Sequence, residues 1–237
     1  MDDIWDRIEN YLSANVPLML EGLAPGATED EIASFESTVG YRLPEDLRLS
    51  LKRHNGQRHN AKDGNPIGGT LIPCCWELLS LKYMLDEWEE HRYVSEDIGP
   101  ENDPDQGNPG VKPYFHHPAR IPIAADIGGN SLCVDLDPDE GGTVGQIIEF
   151  NHEMDCPTRI EADFRTCLTA LADGFEAGDF VYDSDTHFPG FERRMGSAQP
   201  SPETDIEWSA LIEAVEEVGG DADDVKQLKK LMDDKNA

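Results

Sequence analysis

Apolar residues recur along this chain with two different periods, and the alternation between the periods marks its elements. Ile4, Trp5, Ile8, Tyr11 and Leu12 fall at helical spacing, which predicts an amphipathic helix over residues 2–14 that Pro17 stops. In LAPGATEDEIASFESTVGYRLP, Thr28 and Glu31 have capping-box spacing, Ile32, Phe35 and Val39 share a face, and Gly40 supplies the stop. Pro44 opens a third helix, EDLRLSLKRH, with Leu47 and Leu51 on one side and Asn55-Gly56 at its end. Residues 57–69 are polar and glycine-rich, a loop that leads into the short apolar run Thr70–Pro73. From Trp76 the helical period returns, with Leu78, Leu81, Leu85 and Trp88 on one stripe, and predicts a helix through about His91. Residues 95–110, SEDIGPENDPDQGNPG, carry acids and no base and read as a long surface loop.

Between His117 and Phe150 the period becomes two. Leu132, Val134 and Leu136 alternate with Cys133 and Asp135, and a turn of Asp, Pro and Gly leads to a second β-rich run, Val144–Phe150, so the pair predicts a hairpin. Leu132, Val134 and Leu136 are expected to face the core. A helix over about 161–173 follows, built on Phe164, Cys167, Leu168 and Leu171, and then a short strand, DFVY, at 179–182. Residues 183–202 have no periodicity and read as a linker or irregular connection. Beyond it, Thr204 and Glu207 again have capping-box spacing, and the stripes Trp208, Leu211, Ile212, Val215 and Val225, Leu228, Leu231, Met232 flank Gly219-Gly220. The expected organisation is one domain over 1–182, a connection over 183–202 and a helical hairpin over 203–237 docked on the main domain.

Charge changes this picture more than composition does. Hydrophobic residues make up 38% of the 237, enough for a globular core, but 49 acidic residues stand against 19 basic ones, a formal net charge of -30. Such a surface repels phosphate, which argues against nucleic acid or an anionic membrane as partner and favours a basic protein. No stretch approaches membrane-spanning length and the N-terminal segment has no basic, apolar leader pattern, so a cytoplasmic protein is expected. The five cysteines, Cys74, Cys75, Cys133, Cys156 and Cys167, are irregularly spaced and point to a reducing compartment.

The candidates for chemistry are thin. Asp135, Asp137 and Asp139 have the spacing that opens a calcium loop, but Glu140 stands where glycine is needed, Pro138 intrudes, and Gln146 cannot supply the closing bidentate carboxylate. His116, His117 and His152 belong to no metal-binding helix motif and read as surface or satisfied histidines. Cys74 and Cys75 are adjacent, without the two-residue gap that presents two sulfurs to one metal, and Cys133 and Cys167 read as small hydrophobes. No phosphate-binding glycine loop or nucleophile elbow occurs. No catalytic residue, cofactor or metal is therefore expected.

Two ordered blocks, LAPGATEDEIASFESTVGYRLPEDLRLSLKRHNG and IPIAADIGGNSLCVDLDPDEGGTVGQIIEFNHE, followed by ADFRTCL, resemble the SMI1/KNR4 group of the SUKH superfamily over Leu23–Gly174. The resemblance implies an α+β fold, a mixed or mainly antiparallel sheet flanked by helices, in which Leu43, Pro44, Asn55, Gly56, Gly129, Asp135 and Asp137 have structural roles. It also implies a binder rather than an enzyme. In bacteria that means an immunity protein that neutralises a polymorphic toxin, and in fungi a regulator of cell-wall synthesis acting through protein contacts. With the acidic charge, the expectation is an immunity protein for a cognate toxin domain, a nuclease or another enzyme with a basic active-site cleft, the alternative being a cytosolic regulator or scaffold without a toxin. The acids expected to meet the partner, chosen for exposure and clustering, are Asp103 and Asp105 in the long loop, Asp137, Asp139 and Glu140 at the hairpin tip, and Asp183 and Asp185 after the last strand.

Overall fold

The computed structural model describes residues 1–62, 64–98, 108–114, 116–152, 157–184 and 189–194. The chain divides into two compact units, residues 1–197 and 198–237, and all described residues belong to the first. The helical hairpin expected over 203–237 lies outside them.

Four helices come first: α1 (Asp2–Asn15), α2 (Pro17–Gly22), α3 (Glu29–Val39) and α4 (Glu45–Arg53). Pro17 does stop α1, but it also opens the single further turn of α2, because a proline at the first helical position lacks only an N–H that would be unpaired there. The α3 ends form as the residues predict. Thr28 and Glu31 close a reciprocal capping box, and Gly40 takes the left-handed conformation, φ 80°, that ends the helix. Trp5, fully buried on α1, donates from Nε1 to Ser50 Oγ of α4 at 3.0 Å, so the deepest aromatic side chain also satisfies its polar atom.

A meander follows. Strands β1 (Glu77–Leu78), β2 (Arg120–Ala125), β3 (Ser131–Asp135), β4 (Gln146–Phe150) and β5 (Thr158–Glu161) form an antiparallel sheet in sequence order. The β3–β4 register pairs Val134 with Ile147 and Cys133 with Ile148. Alternation then sends Leu132, Val134 and Ile147 into the main core with α1, α3, α4 and the C-terminal helix α6 (Phe164–Ala177), while Leu136 packs at its edge. The opposite face is also dry at its centre, where Val111, Cys133, Ile148 and Phe150 form a second small cluster. That two-sided burial explains why β3 is buried at all five positions although its sequence alternates.

The segment around Leu78 and the C-terminal end of the domain depart from the sequence reading. The helix predicted from Trp76 begins only at Leu81 and runs to Ile98 as α5. Leu78 and Leu79 are held extended instead: Leu78 pairs with Ala124, and Leu79 donates its N–H to Ile123 O at 3.0 Å. Asn55 Oδ1 then accepts from Leu81 N–H at 2.8 Å, satisfying a donor of the first helical turn. At the other end RYVSEDI contains no glycine or proline, so the helix continues past His91 until Gly99-Pro100 approach. Finally, the domain does not end at 182, because part of the expected connection is a strand. The expected last strand forms as β6 (Phe180–Asp183), and it pairs antiparallel with β7 (Gly190–Arg193) in a second, two-stranded sheet. Phe191 of β7 is fully buried, 4.6 Å from the Phe175 ring of α6 and 5.6 Å from that of Tyr182.

Two substitutions check these assignments. Val134→Asp places an unpaired carboxylate at a position with no solvent exposure and is expected to abolish cooperative unfolding by circular dichroism. Phe191→Ala is expected to destabilise the domain by about 3–5 kcal/mol in urea titration, the range for truncating a buried aromatic residue. A change within error would return β7 to the connection.

Candidate functional site

Several polar groups in and beside the sequence blocks are consumed within the fold. Gln57, 2% exposed, lies between the 57–72 loop and β1. Its Oε1 accepts from Leu71 N–H and Leu78 N–H, each at 3.1 Å, and its Nε2 donates to Gly69 O at 2.8 Å. Gly56 beside it has φ 71°, and a Cβ there would meet the Leu79 and Ser80 backbone at 2.3–2.4 Å, which no side chain tolerates. Asp126 Oδ1 accepts from Gly128 N–H at 2.7 Å and Asn130 N–H at 2.9 Å, which shapes the Gly-Gly-Asn turn between β2 and β3. Asp135 is buried and accepts from Gln146 Nε2 at 2.9 Å. It therefore does not join Asp137 and Asp139 in an open cation loop.

The expected partner acids are dispersed. Asp137, Asp139 and Glu140 do share the exposed β3–β4 turn. Asp137 is already paired with Lys112 Nζ at 2.6 Å, and that bond holds its carboxyl below the usual range. Asp183 ends β6 in the other sheet, opposite Gly190, and is half-buried. Asp103, Asp105 and Asp185 lie outside the described residues. The histidines also differ from expectation in one case. His152 Nδ1 is 2.9 Å from Asn130 Oδ1 and is satisfied, but His116 Nε2 is buried without a hydrogen-bond partner. Burial pushes His116 down to about 3 and its neighbour His91 down to about 4, so both rings are neutral at pH 7.

One concavity of the domain was not legible in the sequence. A cavity of about 250 Å³ opens between the 57–72 loop, the Cys75–Leu79 segment, α5, the β2–β3 turn and Pro189. Its walls are largely apolar, from Pro66, Leu79, Tyr83, Ala125 and Pro189, with Ile127 68% exposed at the lip. Polar groups converge on it from three elements: His59 from the loop, Glu77 from β1 and Glu87 from α5. His59 Nε2 lies 2.6 Å from Glu77 Oε1, although not in line for a hydrogen bond, so that buried oxygen has no hydrogen-bond donor. Glu87 pairs with no cation among the described residues; burial first, then Glu90 and Glu77, raise its carboxyl above the usual range. Desolvation likewise raises Glu77, against the opposing pull of His59. Thr70, 6% exposed, lines the same cavity, and its hydroxyl lacks a hydrogen-bond partner.

One side of the rim is strained. Cys74 and Cys75 take φ of 66° and 69°, the left-handed region rare for residues with a Cβ, in a turn closed by the reciprocal bonds of Ile72 and Trp76. Burial and the nearby Glu192 raise both thiols, so neither is an activated nucleophile. An apolar pocket that holds two partly desolvated carboxyls, one of them beside a histidine, suits positive charge.

The cavity has a pH signature. A carboxyl raised above its unfolded value weakens the fold when ionised, so its penalty is absent below about pH 4.3 and grows as pH rises through the folded value. Glu87→Gln is accordingly expected to raise the melting temperature at pH 7 and to leave it unchanged at about pH 4. A gain of equal size at both pH values would assign the effect to packing.

The chain's relatives bear on what such a pocket serves. The sequence profile of the SMI1 / KNR4 family (SUKH-1) matches residues 26–170. Over 211 residues, 77% of this chain and 40% of the other, it is 25% identical to the "Glucan synthesis regulatory protein" of Neurospora crassa. It is 29% identical over 78% of its length, and 38% of the relative's, to the "Cell wall biosynthesis/cell cycle regulator smi1" of Schizosaccharomyces pombe. With the "Cell wall assembly regulator SMI1" of Saccharomyces cerevisiae it shares 26% identity over 78% of its length and 43% of the relative's. The chain thus spans about two-fifths of the length of these curated relatives. Their names overturn the expectation of an immunity protein that neutralises a toxin, since they are fungal regulators and point to the other branch of the resemblance. By the profile match and the helix-flanked antiparallel sheet, the chain belongs to the SMI1/KNR4 family.

Proposed function

We infer that this protein is a cytoplasmic regulator of the SMI1/KNR4 type that acts by binding other proteins and catalyses no reaction. The observation that carries the reading is similarity across more than three-quarters of the chain to proteins named as regulators of glucan synthesis and cell-wall assembly. Local chemistry supports it. Asn55, Gln57, Asp126, Asn130, Asp135 and Gln146, polar side chains in and beside the sequence blocks, hydrogen-bond the protein's own loops and strands. The thiols of Cys133, buried, and Cys167, half-buried, are each pushed up to about 12 by desolvation. No helix among the described residues is long and apolar enough to cross a membrane.

The experiment is complementation. Expressed in Schizosaccharomyces pombe lacking smi1, the chain is expected to restore wall glucan content and resistance to a wall-digesting glucanase, and Phe191→Ala is expected to restore less. Soluble, folded protein that changes neither measure would remove the reading.

A further inference from the structure

The cavity beside β1 has a size and a chemistry that together narrow its occupant. At about 250 Å³ it is smaller than the roughly 300–1,000 Å³ typical of pockets for small-molecule ligands, and suits one side chain better than a metabolite. Its apolar walls match a methylene stem, while Glu87 from α5 offers a carboxyl with no cation beside it among the described residues and Glu77 from β1 a second, 2.6 Å from His59 Nε2. The nearly buried Thr70 hydroxyl, without a partner in the fold, adds a polar group on the same lining. Six cations of the domain are engaged elsewhere: Arg7 with Asp173 and Glu176, Arg48 with Glu36, Lys52 with Glu29, Arg53 with Glu9, Lys82 with Asp86, and Lys112 with Asp137. Resting on the reading that this protein regulates by binding others, we propose that this cavity receives an arginine side chain projecting from a partner protein.

Arginine fits better than lysine for two reasons. A guanidinium is more weakly hydrated than an ammonium, so it loses less on entering an apolar cavity, and its fork can address two carboxylates at once. The exposed Ile127 at the lip gives the flanking residue of the partner an apolar surface, and the overall charge of -30 steers a basic segment toward the site. The raised carboxyls of Glu77 and Glu87 agree with this occupant, since a cation beside them would favour their ionised forms and offset the desolvation that raises them.

The test uses the full chain and N-acetyl-arginine amide, followed by amide chemical shifts in solution, with the citrulline and lysine amides as comparisons. Saturable shifts are expected at Thr70, Leu79, Ala125 and Ile127, with a dissociation constant on the order of 1 mM, as befits a ligand of this size. Affinity is expected to fall at least tenfold for the citrulline compound and for Glu77→Gln/Glu87→Gln, a near-isosteric pair of changes that removes the charge and keeps the shape. The lysine compound should bind several-fold more weakly than arginine. No saturable shift at these residues, equal binding of citrulline, or undiminished binding by the folded double variant would each overturn the proposal, and equal or tighter binding of lysine would overturn the choice of arginine. None of these outcomes bears on complementation, so the pocket can fail while the regulatory reading stands.

Discussion

One buried amide holds this domain in register. Gln57 leaves α4 just after Gly56 and enters a position with 2% exposure, where its backbone N–H reaches Leu78 O at 2.9 Å and its side chain satisfies Gly69, Leu71 and Leu78. Four backbone groups from two segments therefore depend on one residue. Leaving such groups buried and unpaired costs about 1–3 kcal/mol each, so the pairing selects a single path for the 57–80 segment out of many that loop could take. The same bonds hold Leu78 extended, which creates β1 and delays α5 to Leu81. The cavity is a consequence: its walls are the loop below Gln57, the strand Gln57 holds and the helix whose start it sets.

A second buried amide repeats the device at the far end of the sheet. Gln146 Nε2 donates to Gly110 O at 2.8 Å and to Asp135 Oδ2 at 2.9 Å, and its Oε1 accepts from Thr143 N–H at 3.0 Å. It fixes the β3–β4 turn against residues 108–112, and Val111 there covers the second face of the sheet. This is why the hairpin-tip acids fit poorly as an open charged surface. The tip is braced from beneath by Lys112, whose ammonium meets Asp137, and the negative charge there is partly answered within the chain.

What could be read from the residues alone was whatever is written locally. The α3 ends, the α1 stripe and the β3 alternation depend on neighbours within a few positions, and they formed as the spacing predicts. The failures are tertiary. Leu78 fits a helical stripe, and only pairing with Ala124 of β2 and the bonds from a glutamine 21 residues earlier make it a strand. Gly190–Arg193 is four residues among glycines and prolines, and only pairing with β6 and the burial of Phe191 make it part of the core. The cavity is the extreme case, because His59, Thr70, Glu77, Glu87 and Ile127 share no periodicity and come from separate segments. Glu87 looked like any acid on an amphipathic helix until the fold placed it beside Glu77. The family resemblance located the fold correctly, but the choice between its two functional branches leaned on net charge, and charge speaks to the sign of a partner and not to its identity.

The local electrostatics then gain a meaning that the total does not have. An excess of acids spread over a surface contributes little at any one place, since exposed charges are solvated and screened. At the cavity the same excess is partly removed from water, and the neighbouring groups of Glu87 add repulsion instead of relief. Nearby, the turn at Cys74 and Cys75 keeps two residues in a conformation that glycine would adopt more easily. A region that combines desolvated like charges, an unpartnered hydroxyl and a strained turn is less stable than the same region filled with apolar side chains would be. Such losses are ordinary where a protein keeps a surface for something outside itself, and elsewhere in this domain the ionic groups are arranged to avoid them. Arg48, 5% exposed, is surrounded by Glu36, Glu29 and Glu45, and Arg53 by Glu9 and Asp6. The fold can therefore neutralise buried charge where neutralisation serves its own stability, and at the β1 cavity it places no such cation beside Glu87 among the described residues.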